Sequence, residues 1–303
     1  MFYLLLIFLL GVLTPIQTAA NSRLRQSVTS PLVASLVSFA IGTCYLLVAT
    51  LLQNGTLGFE ADLFGRLPGW AWLGGICGLY GLTVNILIFP KLGSVQTALM
   101  PMLGQIAMGM LIDTFGWCRS TVYPFTGMRL LALVLILAGV CMVVMKRGQQ
   151  REAGALLPWQ LVGISGGAVF AMQPAMNNLL SAGLSSAIHA AFISFLTATA
   201  VLLLLVLLIR RDRRHIPQIC SLQRPWWSWL GGLIGGTFVT GFAYFPSKVG
   251  VGLLLVTSIC GLLTCSLVLD KYGLLGASKR SIGAVQYIGL LLVVAGIAVL
   301  RLT

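Results

Sequence analysis

Residues 70–75 read Trp-Ala-Trp-Leu-Gly-Gly, and residues 227–232 read Trp-Ser-Trp-Leu-Gly-Gly. The same offset of 157 positions pairs other residues: Lys91 with Lys248, Gly93 with Gly250, Gly104 with Gly261, Asp113 with Asp270, Gly116 with Gly273 and Ala138-Gly139 with Ala295-Gly296. An offset of 156 pairs earlier residues: Gly11 with Gly167, Gln17 with Gln173, Asn21 with Asn177 and Ser38-Phe39 with Ser194-Phe195. Rare polar residues and tryptophans that match at one offset indicate an internal duplication. We therefore predict a first repeat over residues 1–150 and a second over residues 151–303.

The composition is that of a membrane protein. Of the 303 residues, 58% are hydrophobic and 8% are charged, too little charge to cover the surface of a soluble chain of this length. Apolar stretches of about twenty residues recur throughout, and each is long enough to cross a hydrocarbon core of ~30 Å. They predict about ten transmembrane helices, at roughly 2–20, 31–52, 70–89, 94–112, 126–145, 159–180, 186–209, 227–245, 251–269 and 282–301. The predicted fold class is an all-α integral membrane protein.

Each repeat holds five predicted helices, an odd number, so the second repeat should enter the membrane from the opposite side. The two five-helix repeats are then inverted. The first apolar segment, which ends near Ala20, also resembles a cleaved signal peptide. It lacks a basic region at its start, and its Gln17 has a match deep inside the chain. We therefore interpret it as the first helix of a repeat.

The basic residues indicate the orientation of the chain. One set of alternate loops carries fourteen of the nineteen Lys and Arg residues: Arg23, Arg25, Lys91, Lys146, Arg147, Arg151, Arg210, Arg211, Arg213, Arg214, Arg224, Lys271, Lys279 and Arg280. The opposite side has Arg66, Arg119, Arg129, Lys248 and Arg301. Because cytoplasmic loops are rich in Lys and Arg, the sequence predicts a multi-pass protein of the bacterial inner (plasma) membrane with both termini in the periplasm.

Several function classes are disfavoured. The net charge of +13 lies in short loops between apolar stretches, where it sets topology and does not form a groove for nucleic acid. The seven cysteines show no CxxC or Cys/His spacing typical of a metal site, and we predict no cofactor and no metal. The sequence has no HExxH or GxxxxGK[ST] motif, which argues against a metalloprotease and against an ATP-driven pump, and we predict no enzyme activity.

Polar side chains inside predicted helices are the candidate substrate-binding residues, because a buried polar group in a bilayer is costly. Gln17 and Asn21 lie four residues apart and share a helix face, as do Gln173 and Asn177. On symmetry-related helices these amides could meet near the midplane and bind a solute. The alternative interpretation is that they only hydrogen-bond helix to helix. We placed both asparagines close to the ends of their helices.

Other candidate substrate-binding residues are the matched serines and three single polar residues near the midplane: Ser38, Ser194, Tyr80, Asn85 and Gln105. The matched tryptophans that begin the third and eighth predicted helices are typical of an aromatic belt at the membrane surface. His189 is interpreted as a packed or interfacial residue.

Asp113 and Asp270 are the acids nearest to membrane depth, and they are candidates for ion coupling. Each ends its predicted helix, where the helix dipole disfavours a carboxylate. A structural partner such as Arg119 or Lys271, or capping of the next turn, would explain them. Proton coupling is the alternative, because burial raises the pKa of a carboxyl group.

The repeat resembles a known family. It has Gln-x-x-x-Asn in its first helix, Ser-Phe in its second, Pro-Lys-Leu-Gly at residues 90–93 and Leu-Ile-Asp-x-Phe-Gly at residues 111–116. These motifs resemble the YdcZ-type group of the drug/metabolite transporter superfamily over essentially the whole chain. The resemblance implies the fold and export activity of that superfamily. Small multidrug transporters, which are related at this level, carry a glutamate in their first helix. No acid occurs in the first helix here, so simple carboxylate-driven exchange of protons and drugs is disfavoured.

Inverted repeats that share a midplane interface are a recurrent design of secondary transporters. The predicted function is therefore secondary transport, with export of a small metabolite or xenobiotic by alternating access. The expected partners are a small-molecule substrate and the lipid bilayer, and the two fused repeats would allow the chain to act as a monomer. The alternative is a non-transporting membrane scaffold or partner protein.

Overall fold

The computed structural model describes residues 1–26, 30–58, 62–92, 96–144, 156–209, 226–276 and 282–303. Most of the basic loop residues used for the topology prediction, and Cys220, lie outside these ranges. The helices are α1 (Phe2–Val28), α2 (Pro31–Asn54), α3 (Leu63–Arg66), α4 (Gly74–Phe115), α5 (Gly127–Val144), α6 (Leu157–Leu184), α7 (Ala187–Leu208), α8 (Leu230–Tyr244), α9 (Pro246–Val249), α10 (Val251–Tyr272) and α11 (Ala284–Arg301). Short 3₁₀ turns occupy Gly69–Leu73, Trp117–Arg119, Trp226–Trp229 and Leu274–Gly276.

Within the described ranges, eight helical segments are long and apolar enough to cross a membrane. They are Phe2–Gln26, Pro31–Asn54, Gly69–Leu92, Gln96–Phe115, Gly127–Val144, Ala187–Leu208, Val251–Tyr272 and Ala284–Arg301. The described part of the chain contains no β-strand. A helix satisfies all its backbone hydrogen bonds internally, which hydrocarbon requires. The chain is thus an all-α, multi-pass membrane protein.

The first and sixth predicted helices are longer than expected. α1 continues to Val28 and α6 to Leu184, past the predicted ends at residues 20 and 180. The polar residues there leave the apolar pattern but include no glycine or proline that would stop α1. As a result, Asn21 and Asn177 lie about two turns inside their helices, and our placement of them near helix ends was wrong.

The third and fourth predicted helices both lie in α4. It has 42 residues and contains Pro90, so a straight helix would be about 63 Å long. A Cβ placed on Gly163 would lie 2.8 Å from Met100 Cβ and 3.1 Å from Ile88 Cδ1. Those two residues would be about 18 Å apart along a straight helix. α4 must therefore turn back on itself between them, and its two arms correspond to the two predicted spans.

The matching part of the second repeat is divided into three helices, α8, α9 and α10. α8 ends at Tyr244, the single turn of α9 follows, and Gly250 interrupts the backbone before α10 begins. Gly250 has φ +83° and ψ 161°, a conformation that residues with a side chain rarely adopt.

The helices form two compact units, and each unit contains segments from both halves of the sequence. Unit 1 contains Met1–Val12, Cys77–Ala175 and Phe245–Thr303, and unit 2 contains Leu13–Ile76 and Met176–Tyr244. In unit 1, α5 packs against α11 through small residues: a Cβ on Gly139 would lie 2.5 Å from the Gly289 carbonyl oxygen, and a Cβ on Gly296 would lie 3.0 Å from that of Ala132. The adjoining core is aliphatic and includes Ile106.

Unit 2 is built around α2, α7 and α8. The rings of Phe39 and Phe195 lie 4.9 Å apart between centroids. One turn further along, the hydroxyl groups of Thr43 and Thr199 are 2.8 Å apart. Both pairs join residues at the same position of the two repeats. α2 and α7 therefore contact each other through equivalent faces.

Replacement of Gly104 by Ala should destabilise the protein. The new Cβ would collide with the backbone carbonyl of Ile164 in α6, and overpacking of this kind costs about 1–3 kcal/mol. Thermal unfolding of the purified protein in detergent measures the effect. Gly127→Ala is the control, because no atom lies within 4 Å of a Cβ there. Equal midpoints for the two variants would contradict the close contact.

Candidate functional site

The two candidate asparagines face glycines of the opposite repeat. In unit 2, a Cβ on Gly74 would collide with Oδ1 of Asn177, and a Cβ on Gly231 would collide with Oδ1 of Asn21. Each of these glycines is the first glycine of the Trp-x-Trp-Leu-Gly-Gly stretch of its repeat. Since a glycine has no side chain, each carboxamide can lie directly against the backbone of the facing helix. The two contacts join matching positions of the two repeats.

The two candidate glutamines show the same arrangement one turn away. In unit 1, a Cβ on Gly78 would lie 2.8 Å from both Nε2 and Oε1 of Gln173. In unit 2, a Cβ on Gly235 would lie 2.6 Å from Nε2 of Gln17. Each unit holds one of the two glutamines, so their predicted approach near the midplane stays a prediction. Gln173 is buried and Gln17 is half-buried.

The serine of the second repeat joins this cluster in unit 2. Nδ2 of Asn177 donates to Oγ of Ser194 at 3.2 Å, so the structure brings together two residues that the sequence suggested separately. The backbone carbonyl of Ser194 faces Gly75, and that of Ser38 faces Gly232. Both serines are buried.

The side-chain carbonyl oxygens of both asparagines lack a hydrogen-bond donor among the described residues. Oδ1 of Asn21 and Oδ1 of Asn177 are buried, and neither has a hydrogen-bond partner in the described part of the chain. A buried carbonyl without a partner costs about 1–3 kcal/mol. Such groups need an explanation, and a solute or a different conformation that supplies a donor would provide one.

The remaining candidates in unit 1 are less enclosed. The Tyr80 hydroxyl lies 3.2 Å from the hydroxyl of Ser165, a residue that the sequence analysis did not single out. Asn85 is exposed and Gln105 is half-buried. In unit 2, His189 is buried, and its Nδ1 lies 3.4 Å from Nδ2 of Asn54.

Asp113 binds the start of another helix. Its side chain is 2% exposed; Oδ1 accepts from the backbone N–H of Val251 at 2.7 Å, and Oδ2 accepts from that of Gly252 at 2.8 Å. These are the first two residues of α10, so the positive end of that helix dipole compensates the carboxylate. The partners predicted from the sequence were Arg119, Lys271 or the next turn, and α10 was not among them.

Arg129 is a buried cation near this contact. It is 4% exposed and interacts electrostatically with Asp113. Its guanidinium lies 4.9 Å from the centre of the Tyr123 ring, and Nη1 donates to the Tyr123 carbonyl oxygen at 3.0 Å. The backbone N–H of Tyr123 in turn donates to the backbone carbonyl of Asp113 at 2.8 Å. The end of α4 and the start of α5 are thereby tied to the start of α10.

Asp270 has a different environment. It is half-buried near the end of α10. None of the hydrogen bonds observed in the described part of the chain involves its side chain. The two matched acids are therefore not equivalent in this structure.

These features define an all-α, multi-pass membrane protein with polar side chains inside its helices. The family described as "Putative inner membrane exporter, YdcZ" matches the chain twice, at residues 2–142 and 158–299. The protein belongs to this family, a group within the drug/metabolite transporter superfamily. The family assignment favours a membrane transporter over an enzyme.

Comparison with solved structures agrees on the fold. A protein crystal structure with 18% sequence identity matches with a TM-score of 0.70, over 99% of this chain and 96% of that chain. At this identity the likeness shows a common fold alone. No curated protein matches the chain in sequence.

The contact between Gly74 and Asn177 can be tested with a double-mutant cycle. Gly74→Ala should lower the free energy of unfolding by about 1–3 kcal/mol because the new methyl group displaces the carboxamide. Asn177→Ala removes the obstructing atoms, so the two changes together should cost less than their sum, with a coupling of about 0.5–3 kcal/mol. Chemical unfolding in detergent measures all four proteins. Additive costs would show that the two residues do not meet, and Gly69→Ala, with open space around its Cβ, serves as the neutral control.

Proposed function

We propose that the protein is a secondary transporter that exports a small metabolite or xenobiotic by alternating access of two inverted five-helix repeats. Its family is one of inner-membrane exporters. The observation that carries the mechanism is the reciprocity of the contacts between the repeats. Alternating access needs two halves that can exchange conformations, and an inverted repeat provides them.

Reciprocal contacts are the signature of a two-fold relation, as in an isologous interface. In unit 2, Asn177 meets Gly74 while Asn21 meets Gly231. Phe39 meets its own match, Phe195. A residue can contact its own equivalent only close to a two-fold axis, and this supports inverted repeats.

Unit 1 shows the same reciprocity. A Cβ on Gly104 would collide with the carbonyl of Ile164, and a Cβ on Gly261 would collide with that of the matching Phe8. Likewise, Gly11 faces the backbone of Ser258, and Gly167 faces that of Pro101. These close contacts also support the repeat boundaries that the sequence predicts.

Ten membrane crossings follow if α6 and α8 are added to the eight apolar segments. α6 has 28 residues, enough to span the core with some tilt. Its hydropathy is lowered by amides that include Gln160, Gln173 and Asn177. α8 and the preceding 3₁₀ turn together cover residues 226–244, which is also close to the length required.

The proposed substrate-binding residues are Gln17 in unit 2 and Gln173 in unit 1, each with an asparagine, Asn21 or Asn177, one turn further along its own helix. Each glutamine lies against a glycine, so a small movement of the facing helix would uncover an amide that can both donate and accept. The unsatisfied Oδ1 atoms of the asparagines add acceptors. A neutral or cationic solute with N–H or O–H donors suits such a site.

Replacement of Gln17 or Gln173 by Leu should abolish transport and leave the protein folded. A lost hydrogen bond to a desolvated solute costs about 1–3 kcal/mol. Ligands are first found by a thermal-shift screen of a metabolite and drug library, since a bound ligand stabilises the native state. Uptake or efflux of a hit in proteoliposomes then compares the variants.

Gln160→Leu is the matched control for this experiment. Gln160 also lies on α6, and its Nε2 donates to Oε1 of Gln96 at 3.1 Å. Its loss should reduce stability by roughly 0.6–2 kcal/mol with near-normal transport. If the Gln17 and Gln173 variants behave like this control, the two amides are structural. A scaffold protein would give no transport with any hit.

The orientation can be tested with impermeant thiol reagents in a cysteine-free background. Cysteines added at either terminus should react in intact spheroplasts, because both termini are predicted to face the periplasm. Asp212→Cys, within the basic segment at residues 210–214, should react only after lysis. Reaction of the termini only in broken membranes would overturn the predicted topology.

A further inference from the structure

The amide of Gln17 lies beside an aromatic ring in unit 2. A Cβ placed on Gly235 would lie 2.6 Å from Nε2 of Gln17 and 3.4 Å from Cζ of Phe195. The amide nitrogen and the edge of the ring are therefore neighbours over the same glycine of α8. Gln17 is half-buried, whereas Phe195 is 4% exposed.

A missing side chain in α2 makes room for this ring. A Cβ on Gly42 would lie 2.3 Å from Cε1 and 2.7 Å from Cδ1 of Phe195. Any larger residue at this position would therefore displace the ring. Gly42 of α2 and Gly235 of α8 thus form two sides of a slot that Phe195 of α7 fills.

The two repeats differ at this slot. The match of Gly42 is Ala198, which carries a methyl group and is fully buried. Phe39, the match of Phe195, would have to displace that methyl group to occupy the equivalent space. The two rings lie 4.9 Å apart between centroids, but only Phe195 has a glycine at this position of the facing helix. The matched phenylalanines are therefore not interchangeable.

We propose that Phe195 is a specificity-determining residue of the substrate site. Its ring, held in the slot of Gly42 and Gly235, forms an apolar wall beside the Gln17 amide and limits the size of the solute that this amide can bind. This inference rests on the proposed function of Gln17 as a binding residue. In ligand sites a few polar groups fix orientation, and apolar side chains define the space. The solute would place a donor or acceptor at Gln17 and an apolar edge against the ring.

The wall is tested by alkylation of Gln17→Cys in a cysteine-free background in detergent, which needs no substrate. The probes are N-ethylmaleimide, which is small, and fluorescein maleimide, which is bulky. Each rate is divided by the rate of the same reagent with a cysteine added at the C-terminus. With Phe195 in place, the small reagent should react faster than the bulky one on this scale. Phe195→Ala removes the wall and should reduce that preference about tenfold, within the range over which pocket size discriminates.

Phe39→Ala is the matched control, because it removes the neighbouring ring and keeps Phe195 with its slot. It should leave the size preference unchanged. Both substitutions remove a ring from the core of unit 2 and should lower the midpoint of thermal unfolding. The size preference therefore separates a wall at Gln17 from a general loosening of the core. Phe195→Leu replaces Phe195→Ala if the latter fails to fold, and it should give an intermediate preference.

An unchanged size preference in the folded Phe195 variant would overturn the proposal, as would an equal fall in Phe39→Ala. These readouts are separate from transport. A protein that transports a screening hit but shows no size preference at Gln17→Cys would refute the wall alone. A protein that shows the size preference but transports no hit would refute the proposed function alone.

Discussion

A side-chain amide in hydrocarbon has to find its partners inside the protein, because no water is present to supply them. This requirement organises the contacts between the repeats. Each of the four matched amides, Gln17, Asn21, Gln173 and Asn177, lies against a glycine, and each glycine belongs to a helix of the opposite repeat. Only a residue without a side chain allows a carboxamide to come this close to a backbone. The polar groups are thus placed by backbone contacts and by few polar bonds, such as that between Asn177 and Ser194.

The same glycines explain how the helices pack. In a bilayer the hydrophobic effect does not press helices together, so close van der Waals contact has to hold them. In unit 2, Gly75 and Gly232 contact the backbone carbonyls of Ser194 and Ser38, so α4 packs closely against α7, and α8 against α2. A polar cluster and a close-packed helix contact are therefore built from one six-residue stretch in each repeat, the stretch that begins with Trp70 in the first.

The sequence predicted the membrane class, most of the helices and the matched residues, because hydropathy and repetition are visible in a single chain. It did not predict which residues face each other. The spacing of Gly74 and Asn177 follows from the path of two helices through the membrane, and hydropathy carries no such information. Asp113 shows the same limit: its partners are backbone amides, which have no sequence signature.

The turn in α4 has a consequence for how the protein is made. Its two arms, Gly69–Leu92 and Gln96–Phe115, are separated by only three residues of the sequence. Because this link is short, one arm cannot insert into the bilayer long before the other. The polar backbone groups of the link cannot remain in hydrocarbon. We therefore expect the two arms to enter the lipid together as one helical hairpin, with Lys91 near its tip. The orientation of both arms in the membrane would then be set in a single step.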